Sequence, residues 1–302
     1  MMKTKTAPAK SNLNRNTQWD YVIIFGMILF MLVCIYPFWY VLAGSFSDGA
    51  DYMRGGVYLL PRKFSLQNYI VTLADSRLYI GFRVTFLRTV ICTITHVLFT
   101  SMVAYAMSRK DLPCRSLIYW INMFTMFFGG GLIPFYILLK QLKLINTFWV
   151  YVIPGLYSVY NMIIFSNYFH SIPEEIHESA TMDGASEFRI LYQLYLPLST
   201  PVLATVALWV GVGHWNAFFD SMVYTTDRNL QTLQLYLYKM IKTSEFVSTA
   251  DMGGLPSNIQ QNVTATTVRY ATIIISTIPI LCIYPFLQRF LTKGIMLGSL
   301  KG

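Results

Sequence analysis

Polar side chains interrupt several long apolar stretches of this sequence, and they are the residues best placed to do chemistry. A polar group costs free energy in hydrocarbon, so it usually faces the interior of a helix bundle or a water-filled cavity. In a cavity, imidazole and amide groups could hydrogen-bond a polar solute, and an adjacent indole could pack against the apolar face of that solute. The candidates for such a path are His96, Asn122, Asn161, His214, Trp215 and Asn216.

These residue types leave a second role open. An amide or imidazole inside a membrane span can equally well hydrogen-bond a neighbouring span and stabilise the bundle. The tyrosines Tyr157 and Tyr160 favour an interfacial or packing role over contact with a solute. Arg83 and Arg88 could attract an anionic solute, but their position at the start of an apolar stretch favours side chains that extend to lipid head groups.

The composition indicates a membrane protein. Of the 302 residues, 55% are hydrophobic and only 12% are charged, and the mean hydropathy is +0.47, whereas soluble domains carry about 25% charged residues. Six apolar stretches are long enough to cross a bilayer as helices. They lie near Tyr21–Ala43, Val84–Met107, Leu117–Leu139, Thr147–Phe169, Val202–Phe219 and Val268–Phe290. The sequence therefore predicts an all-α polytopic fold with six transmembrane helices in one domain, residues 1–302.

Basic residues around the first span predict its orientation. Lys3, Lys5, Lys10 and Arg15 precede this span, whereas only Arg54 falls in the fifteen residues after it. The positive-inside rule then puts the N-terminus in the cytoplasm. Six spans return the C-terminus to the same side.

The predicted spans leave one tail and two long loops outside the membrane. Residues 1–20 form a cytoplasmic tail in this topology, residues 170–198 form the only long cytoplasmic loop between spans, and residues 221–267 form a long external loop. The formal net charge of +9 fits an anionic lipid surface better than nucleic acid. The long cytoplasmic loop is the part outside the membrane where chemistry is expected.

The cytoplasmic loop has the pattern of a helix–turn–helix elbow. Ser171 and Glu174 have capping-box spacing, so a short helix should begin there. Gly184 can adopt a positive φ and should end that helix, after which a second helical stretch should run to just before Pro197. Composition alone favours an ordinary solvated loop.

The spacing within residues 178–197 is more specific than the composition. The order is Glu178-Ser179-Ala180, three residues, Gly184, nine residues, Leu194, one residue and Leu196-Pro197. It resembles the EAA loop of ATP-binding-cassette importer permeases, EAA-x3-G-x9-I-x-L-P. Ser179 replaces the first alanine of that pattern and Leu194 replaces the isoleucine, and both changes are mild in size.

Other segments indicate which branch of these permeases the chain resembles. Ile172-Pro173-Glu174-Glu175 and Asp183-Gly184-Ala185 look like the carbohydrate, or maltose-type, branch of these permeases. Three more segments are similar to oligosaccharide permeases, including those for uronate oligosaccharides. They are Phe128-Gly129-Gly130-Gly131-Leu132-Ile133-Pro134, Gly213-His214-Trp215-Asn216 and Lys293-Gly294-Ile295-Met296-Leu297-Gly298.

The resemblance implies an importer permease fold and a set of partners. These are a second permease subunit in a heterodimer, two cytoplasmic ATPase subunits, an extracytoplasmic solute-binding protein and an oligosaccharide, in the bacterial inner membrane. This chain is expected to be a transport subunit without a cofactor of its own, with ATP and Mg bound by the partner ATPase subunits. In agreement, the sequence contains no GxxxxGK[ST] motif.

The resemblance also assigns roles to residues. The coupling helix, which docks in a groove of the ATPase, is implied to include Glu178, Ser179, Ala180, Asp183, Gly184 and Ala185. The tail Gly298–Gly302 is implied to reach the ATPase interface, and the loop between the last two spans is implied to enter the cleft of the binding protein. The glycine run Gly129–Gly131 favours close helix packing over local unwinding.

Two other classes of protein remain as alternatives. A secondary transporter or channel that needs no ATPase would require acidic residues inside the spans, and none of the 14 carboxylates lies within them. A membrane enzyme could use His96 and His214 as ligands, but no HExxH spacing accompanies them. The sequence leaves open whether the oligosaccharide is neutral or acidic, such as an alginate or pectin fragment.

Overall fold

The computed structural model describes residues 18–242 and 263–299, and every regular element in those ranges is helical, as predicted. In chain order the elements are α1 (Gln18–Ser45), α2 (Gly49–Met53), α3 (Gln67–Ala74), α4 (Ser76–Ser108), α5 (Arg115–Phe127), α6 (Leu132–Gln141), α7 (Trp149–Val152), α8 (Val159–His170), α9 (Glu174–Met182), α10 (Glu187–Ile190), a π-helical stretch (Leu191–Tyr195), α11 (Leu196–Leu198), α12 (Thr200–Asn216), α13 (Phe219–Tyr224), a 3₁₀ turn (Arg228–Leu230), α14 (Leu233–Lys242) and α15 (Ala265–Ser299). Most of the N-terminal tail, the centre of the external loop (243–262) and residues 300–302 lie outside the described residues.

Three helices are long and apolar enough to cross a bilayer without a break. They are Trp19–Ser45, Ser76–Ser108 and Ala265–Ile283. Two further pairs of helices qualify only together, because each pair is sharply bent, so the described residues contain between three and five candidate spans. The first, second and last predicted spans are therefore helices that run a little beyond their predicted ends.

The third predicted span is not a continuous helix. α5 and α6 meet at an angle of 114° around Phe128–Gly131, and Gly131 has a φ of +85°. A Cβ atom at Gly129 or Gly131 would meet no heavy atom within 4 Å. The expectation that the glycine run packs closely against another helix is therefore wrong for the described part of this chain, and the glycines permit local unwinding instead.

The fourth predicted span is also interrupted. α7 ends at Val152 and α8 begins at Val159, and Pro154 and Gly155 lie in the break between them. Proline lacks a backbone N–H and glycine weakens a helix, so this pair favours the interruption. The break leaves backbone carbonyl groups without helical partners.

Helix α4 forms the centre of the fold. It packs against α8, α12 and α14, and Arg88, Cys92 and Ala104 along its length are almost fully buried. At its C-terminal end, Tyr105 joins an aromatic cluster that includes Phe169 and Tyr195. α4 is therefore the element against which the other helices are positioned.

The beginning of α4 is capped by Asp75. Its carboxylate accepts hydrogen bonds from the backbone N–H of Arg77 (2.9 Å), from the Arg77 guanidinium and from the Tyr236 hydroxyl of α14 (2.7 Å). Partial burial raises the pKa of Asp75, but the hydrogen bonds from Arg77 and Tyr236 outweigh burial, so the pKa lies below its usual value. This cap attaches α14 to the start of α4.

Helix α1 is the most exposed long helix of the described chain. Its apolar window buries none of its residues, and it packs against α15. The contact is close at Gly44, where an added Cβ would lie 2.6 Å from the Tyr270 ring. The remaining apolar surface of α1 is suited to lipid or to a neighbouring subunit.

Candidate functional site

Four side chains on one face of α4 bind the backbone exposed at two helix breaks. Arg88, Cys92, His96 and Thr100 are spaced four residues apart, so they share a face of the helix. We call this set the polar ladder. Three of its members donate to carbonyl oxygens around the break between α7 and α8: Cys92 to Tyr151 (3.3 Å), His96 to Gly155 (2.6 Å) and Thr100 to Leu156 (3.3 Å). The ladder thus supplies the partners that unwound backbone needs inside a membrane.

His96 has both ring nitrogens in hydrogen bonds. Nδ1 donates to the Gly155 carbonyl, and Nε2 accepts from the Asn161 side-chain amide at 2.9 Å. Asn161 lies in the first turn of α8, so this contact joins α4 to α8 across the break. Two residues proposed for the solute path therefore make the interhelical hydrogen bond that was their alternative role.

Arg88 is buried and ion-paired. Its side chain is 1% exposed and lies twelve residues inside α4, where Nη1 donates to Asp220 Oδ1 at 3.1 Å and Nη2 donates to Asp220 Oδ2. Nη1 also contacts the Ala217 carbonyl at 3.4 Å, and the guanidinium lies 4.5 Å from the centre of the Tyr151 ring. The expectation that Arg88 extends to lipid head groups is therefore wrong, although Arg83 is exposed.

The Arg88–Asp220 pair spans the second break, where α12 ends at Asn216 and α13 begins at Phe219. A cation stabilises the C-terminal end of a helix, and the guanidinium binds the Ala217 carbonyl at that end of α12. Sequence reasoning missed this pair, because Asp220 lies one residue beyond the predicted fifth span. The four-residue spacing of the ladder is the signal that could have drawn attention to Arg88.

A cavity of about 340 Å³ lies between the two breaks. His96 and His214 both line it, together with Arg88, Gly155, Tyr157, Ser158, Val210, Gly213 and Ala217. Discontinuous helices that meet at a cavity are the usual construction of a solute site in membrane transporters. The structure therefore brings two of the six predicted path residues together in one cavity.

The other path candidates lie elsewhere or act indirectly. Asn122 accepts a hydrogen bond from the Tyr157 hydroxyl at 2.5 Å and so supports one wall of the cavity. Trp215 is buried between α4 and α15, where its Nε1 donates to the Ser276 carbonyl at 3.2 Å. Asn216 is exposed and donates to the Val212 carbonyl of its own helix.

The predicted elbow is present at the other end of α4. α9 ends in a Schellman turn: Gly184, with a φ of +76°, donates to the Thr181 carbonyl, and Ala185 donates to the Ala180 carbonyl, both at 3.0 Å. The start differs from the prediction, since Pro173 precedes α9 without a side-chain cap and Ser171 donates to the Tyr168 carbonyl of α8. The second helical stretch also runs through Pro197 to Leu198 instead of ending before it.

The six predicted coupling residues divide into an outer and an inner set. Glu178, Ser179, Asp183 and Gly184 are exposed, whereas Ala180 and Ala185 pack against the aromatic cluster. Two large apolar side chains of the elbow are also exposed: Met182 is 88% exposed and Phe188 is 64% exposed. Sequence reasoning missed these two residues, which give the exposed tip of the elbow an apolar surface suited to protein contact.

The elbow is attached to α4 through Glu187. Its carboxylate accepts a hydrogen bond from the Tyr105 hydroxyl of α4 and lies 3.3 Å from Nε2 of His177 on α9. His177 and Tyr105 are both buried. A displacement of α9 would therefore be transmitted to the end of α4, whose central part lines the cavity.

Comparison with known families covers nearly the whole chain. Residues 7–297 match the family model described as binding-protein-dependent transport system inner membrane component. The chain is 33% identical over 291 residues to a polygalacturonan/rhamnogalacturonan transport system permease of Bacillus subtilis (strain 168), with 95% of this chain and 100% of the relative covered. It is 28% identical to a trehalose/maltose transport system permease of Thermococcus litoralis, with 93% of this chain and 96% of the relative covered.

Solved structures agree with these relatives. The fold matches a chain in the crystal structure of a bacterial ABC transporter involved in the import of the acidic polysaccharide alginate, with a TM-score of 0.82 and 31% identity. The match covers 91% of this chain and 98% of that chain.

Proposed function

The chain belongs to the binding-protein-dependent transport system inner membrane components, and we propose on that premise that it is the membrane-spanning permease subunit of an ATP-driven oligosaccharide importer. A permease subunit is not an enzyme. ATP and its magnesium ion act on separate ATPase subunits, and this chain converts their movement into alternating access of the cavity.

The proposed assembly contains four kinds of subunit. This chain pairs with a second permease, the pair rests on two ATPase subunits, and a solute-binding protein delivers the sugar from outside the bacterial inner membrane. Six crossings with both termini in the cytoplasm require α5 with α6, and α7 with α8, each to cross the bilayer once as a broken span. The elbow, residues 170–198, then lies on the cytoplasmic side.

One observation carries the proposal: a single long helix, α4, contacts both the exposed elbow and the cavity between two helix breaks. A rigid helix that connects a docking surface with a polar cavity is what an ATP-driven gate requires. Glu178, Ser179, Asp183 and Gly184 form the docking surface in this proposal, together with Met182. Ala180 and Ala185 hold the elbow against the rest of the chain.

The names of the relatives support an acidic oligosaccharide as the substrate. One relative transports polygalacturonan or rhamnogalacturonan, and the structure with 31% identity belongs to an alginate importer. We therefore propose uronate-containing oligosaccharides as the substrate class. His214 is the predicted path residue that would meet the sugar in the cavity, while His96, Asn122 and Asn161 support its walls.

Purification from the native membrane tests the assembly. The chain should be recovered in detergent with a second permease and an ATPase, and the reconstituted complex should take up trigalacturonate in an ATP-dependent manner. Recovery of this chain alone, with sugar uptake driven by an ion gradient, would instead identify a secondary transporter. That result would overturn the importer proposal.

Gly184→Trp tests the docking surface, and Gly55→Trp is its matched control. Both glycines have a φ of +76° and no heavy atom within 4 Å of an added Cβ, so the two variants carry the same backbone strain. Only Gly184 lies on the elbow. Gly184→Trp should abolish uptake and the stimulation of ATPase activity by the loaded binding protein, whereas Gly55→Trp should retain both.

A further inference from the structure

We propose that His214 donates a hydrogen bond from Nε2 to an oxygen of the oligosaccharide, and that Arg88 fixes the imidazole tautomer that makes this possible. The inference rests on the proposed function and names the sugar-binding group of the same cavity. The Arg88–His214 contact is the observation from which it starts.

The tautomer of His214 follows from the chemistry of its partner. Arg88 Nε lies 3.4 Å from His214 Nδ1 in a hydrogen bond. A guanidinium nitrogen can only donate, so Nδ1 must accept and carries no proton. The proton of the neutral imidazole is therefore on Nε2, and a second proton on Nδ1 would point at the Arg88 N–H.

Arg88 is held too firmly to adapt to His214. Both terminal nitrogens bind Asp220, the Ala217 carbonyl accepts a further contact, and the Tyr151 ring covers the guanidinium. Since the arginine side chain is 1% exposed, it cannot turn toward water. Asp220 and Arg88 are thus positioning residues for His214.

The donor on His214 is open to the cavity. Nε2 has no hydrogen-bond partner among residues 18–242 and 263–299, and His214 lines the cavity wall. An added Cβ at Gly155 would lie 3.6 Å from Nε2, so the glycine keeps this edge of the ring uncovered. His96 differs, because both of its nitrogens are already bonded to Gly155 and Asn161.

The ligand that fits is an acceptor oxygen in an open cavity where the charge of the buried arginine is already paired. The charge of Arg88 is balanced by Asp220, and the Nε2–H of His214 is a donor on the cavity wall without a partner in the described part of the chain. Hydroxyl, ring and carboxylate oxygens of a sugar can all accept it, and a carboxylate makes the stronger bond. Tyr157 and Ser158 on the same wall give the sugar further polar and aromatic contacts.

Two variants of His214 separate the donor from the Arg88 contact. In His214→Asn the side chain retains an acceptor near Nδ1 but has no group at Nε2, whereas the longer His214→Gln reaches that position with an amide N–H. Loss of one neutral hydrogen bond corresponds to about a fivefold effect. In proteoliposomes holding the whole complex, His214→Asn should lower uptake of trigalacturonate about fivefold or more, and His214→Gln should recover part of it.

Gly155→Ala and Gly213→Ala provide a matched pair in the same cavity. Both add one methyl group, but only the methyl at 155 lies against the His214 edge, because a Cβ at Gly213 meets no heavy atom within 4 Å. Gly155→Ala should therefore reduce uptake of trigalacturonate clearly more than Gly213→Ala. The reduction caused by loss of the donor should also be larger for trigalacturonate than for neutral galactotriose.

The tautomer can be measured without any variant. The sequence contains only 4 histidines, so ¹⁵N-histidine NMR of a complex in which only this chain is labelled should resolve His214 as an imidazole with an unprotonated Nδ1 whose signal changes in Arg88→Met. A protonated Nδ1 on His214, or uptake by His214→Asn equal to the wild type, would overturn this inference. A wild-type complex that transports neither sugar would overturn the proposed function instead.

Discussion

The buried pair Arg88–Asp220 makes a quantitative prediction about stability. Breaking a buried ion pair by removing one partner costs about 3–5 kcal/mol, because the other charge stays buried without compensation. The two single variants should not be equal. Arg88 is 1% exposed and Asp220 is 28% exposed, so the carboxylate has access to water and the guanidinium has none.

Asp220→Asn should therefore be the more damaging change. Arginine remains protonated at all accessible pH values, so this variant leaves a full charge in the bundle and should cost about 5 kcal/mol. Arg88→Met leaves Asp220, whose partly exposed side chain can bind water, and should cost about 3 kcal/mol. The double variant removes both charges and should cost about 2 kcal/mol or less, since apolar replacements of buried pairs are often tolerated.

Equilibrium unfolding in mixed micelles, followed by helical circular dichroism, measures these free energies. Lys110→Met is the control, because the Lys110–Glu174 pair is exposed, with side-chain exposures of 75% and 46%, and an exposed ion pair contributes little to stability. A coupling energy below about 1 kcal/mol in the Arg88–Asp220 cycle would refute the reasoning. So would a larger loss in Arg88→Met than in Asp220→Asn.

Three further predictions use the same unfolding measurement. Gly131→Ala should cost about 1 kcal/mol because of its φ of +85°. Gly26→Ala, in the interior of α1 with open space around it, should instead stabilise the protein by up to about 1 kcal/mol. Equal effects of the two substitutions would contradict the unwinding assigned to Gly131. The depressed pKa of Asp75 means that its cap contributes fully at neutral pH and is lost as the pH falls through that lowered pKa. Tyr236→Phe removes one of the hydrogen bonds that lower the pKa of Asp75, so it should lower the free energy of unfolding by about 1–2 kcal/mol at neutral pH. In this variant the loss of stability on acidification should begin at a higher pH than in the wild type. An unchanged dependence of stability on acidic pH would exclude the contact.

Hydropathy predicts the continuous membrane helices of this chain but not the interruptions in the other predicted spans. α1, α4 and α15 are continuous and apolar, so averaging over a window was sufficient to locate them. The same averaging concealed the breaks at Gly129–Gly131 and at Pro154–Gly155, since the flanking residues are as apolar as a continuous span. The glycine run favours close packing when only the sequence is known, and the helices around it cannot be identified from one sequence.

Local spacing predicted the elbow better than the cavity. The end of α9 at Gly184 follows from a conformation that glycine adopts readily, so the position was correct. The predicted capping box at the start of α9 is wrong, because the Ser171 hydroxyl donates to a carbonyl at the end of α8 instead. The partners of Arg88 could not be predicted, since Asp220 lies 132 positions away along the chain and only the packing of α12 against α4 brings it near.

The polar ladder also bears on the order in which the protein is made. Ribosomal synthesis completes α4 before α7, α8, α12 and α13, so Arg88, Cys92, His96 and Thr100 enter the bilayer ahead of the two broken segments. The unpaired carbonyl groups of those segments then meet a helix that already carries their donors. If the proposed topology holds, insertion of these later segments depends on a helix made earlier in the same chain, and a truncation that removes α4 should leave them without a stable place in the membrane.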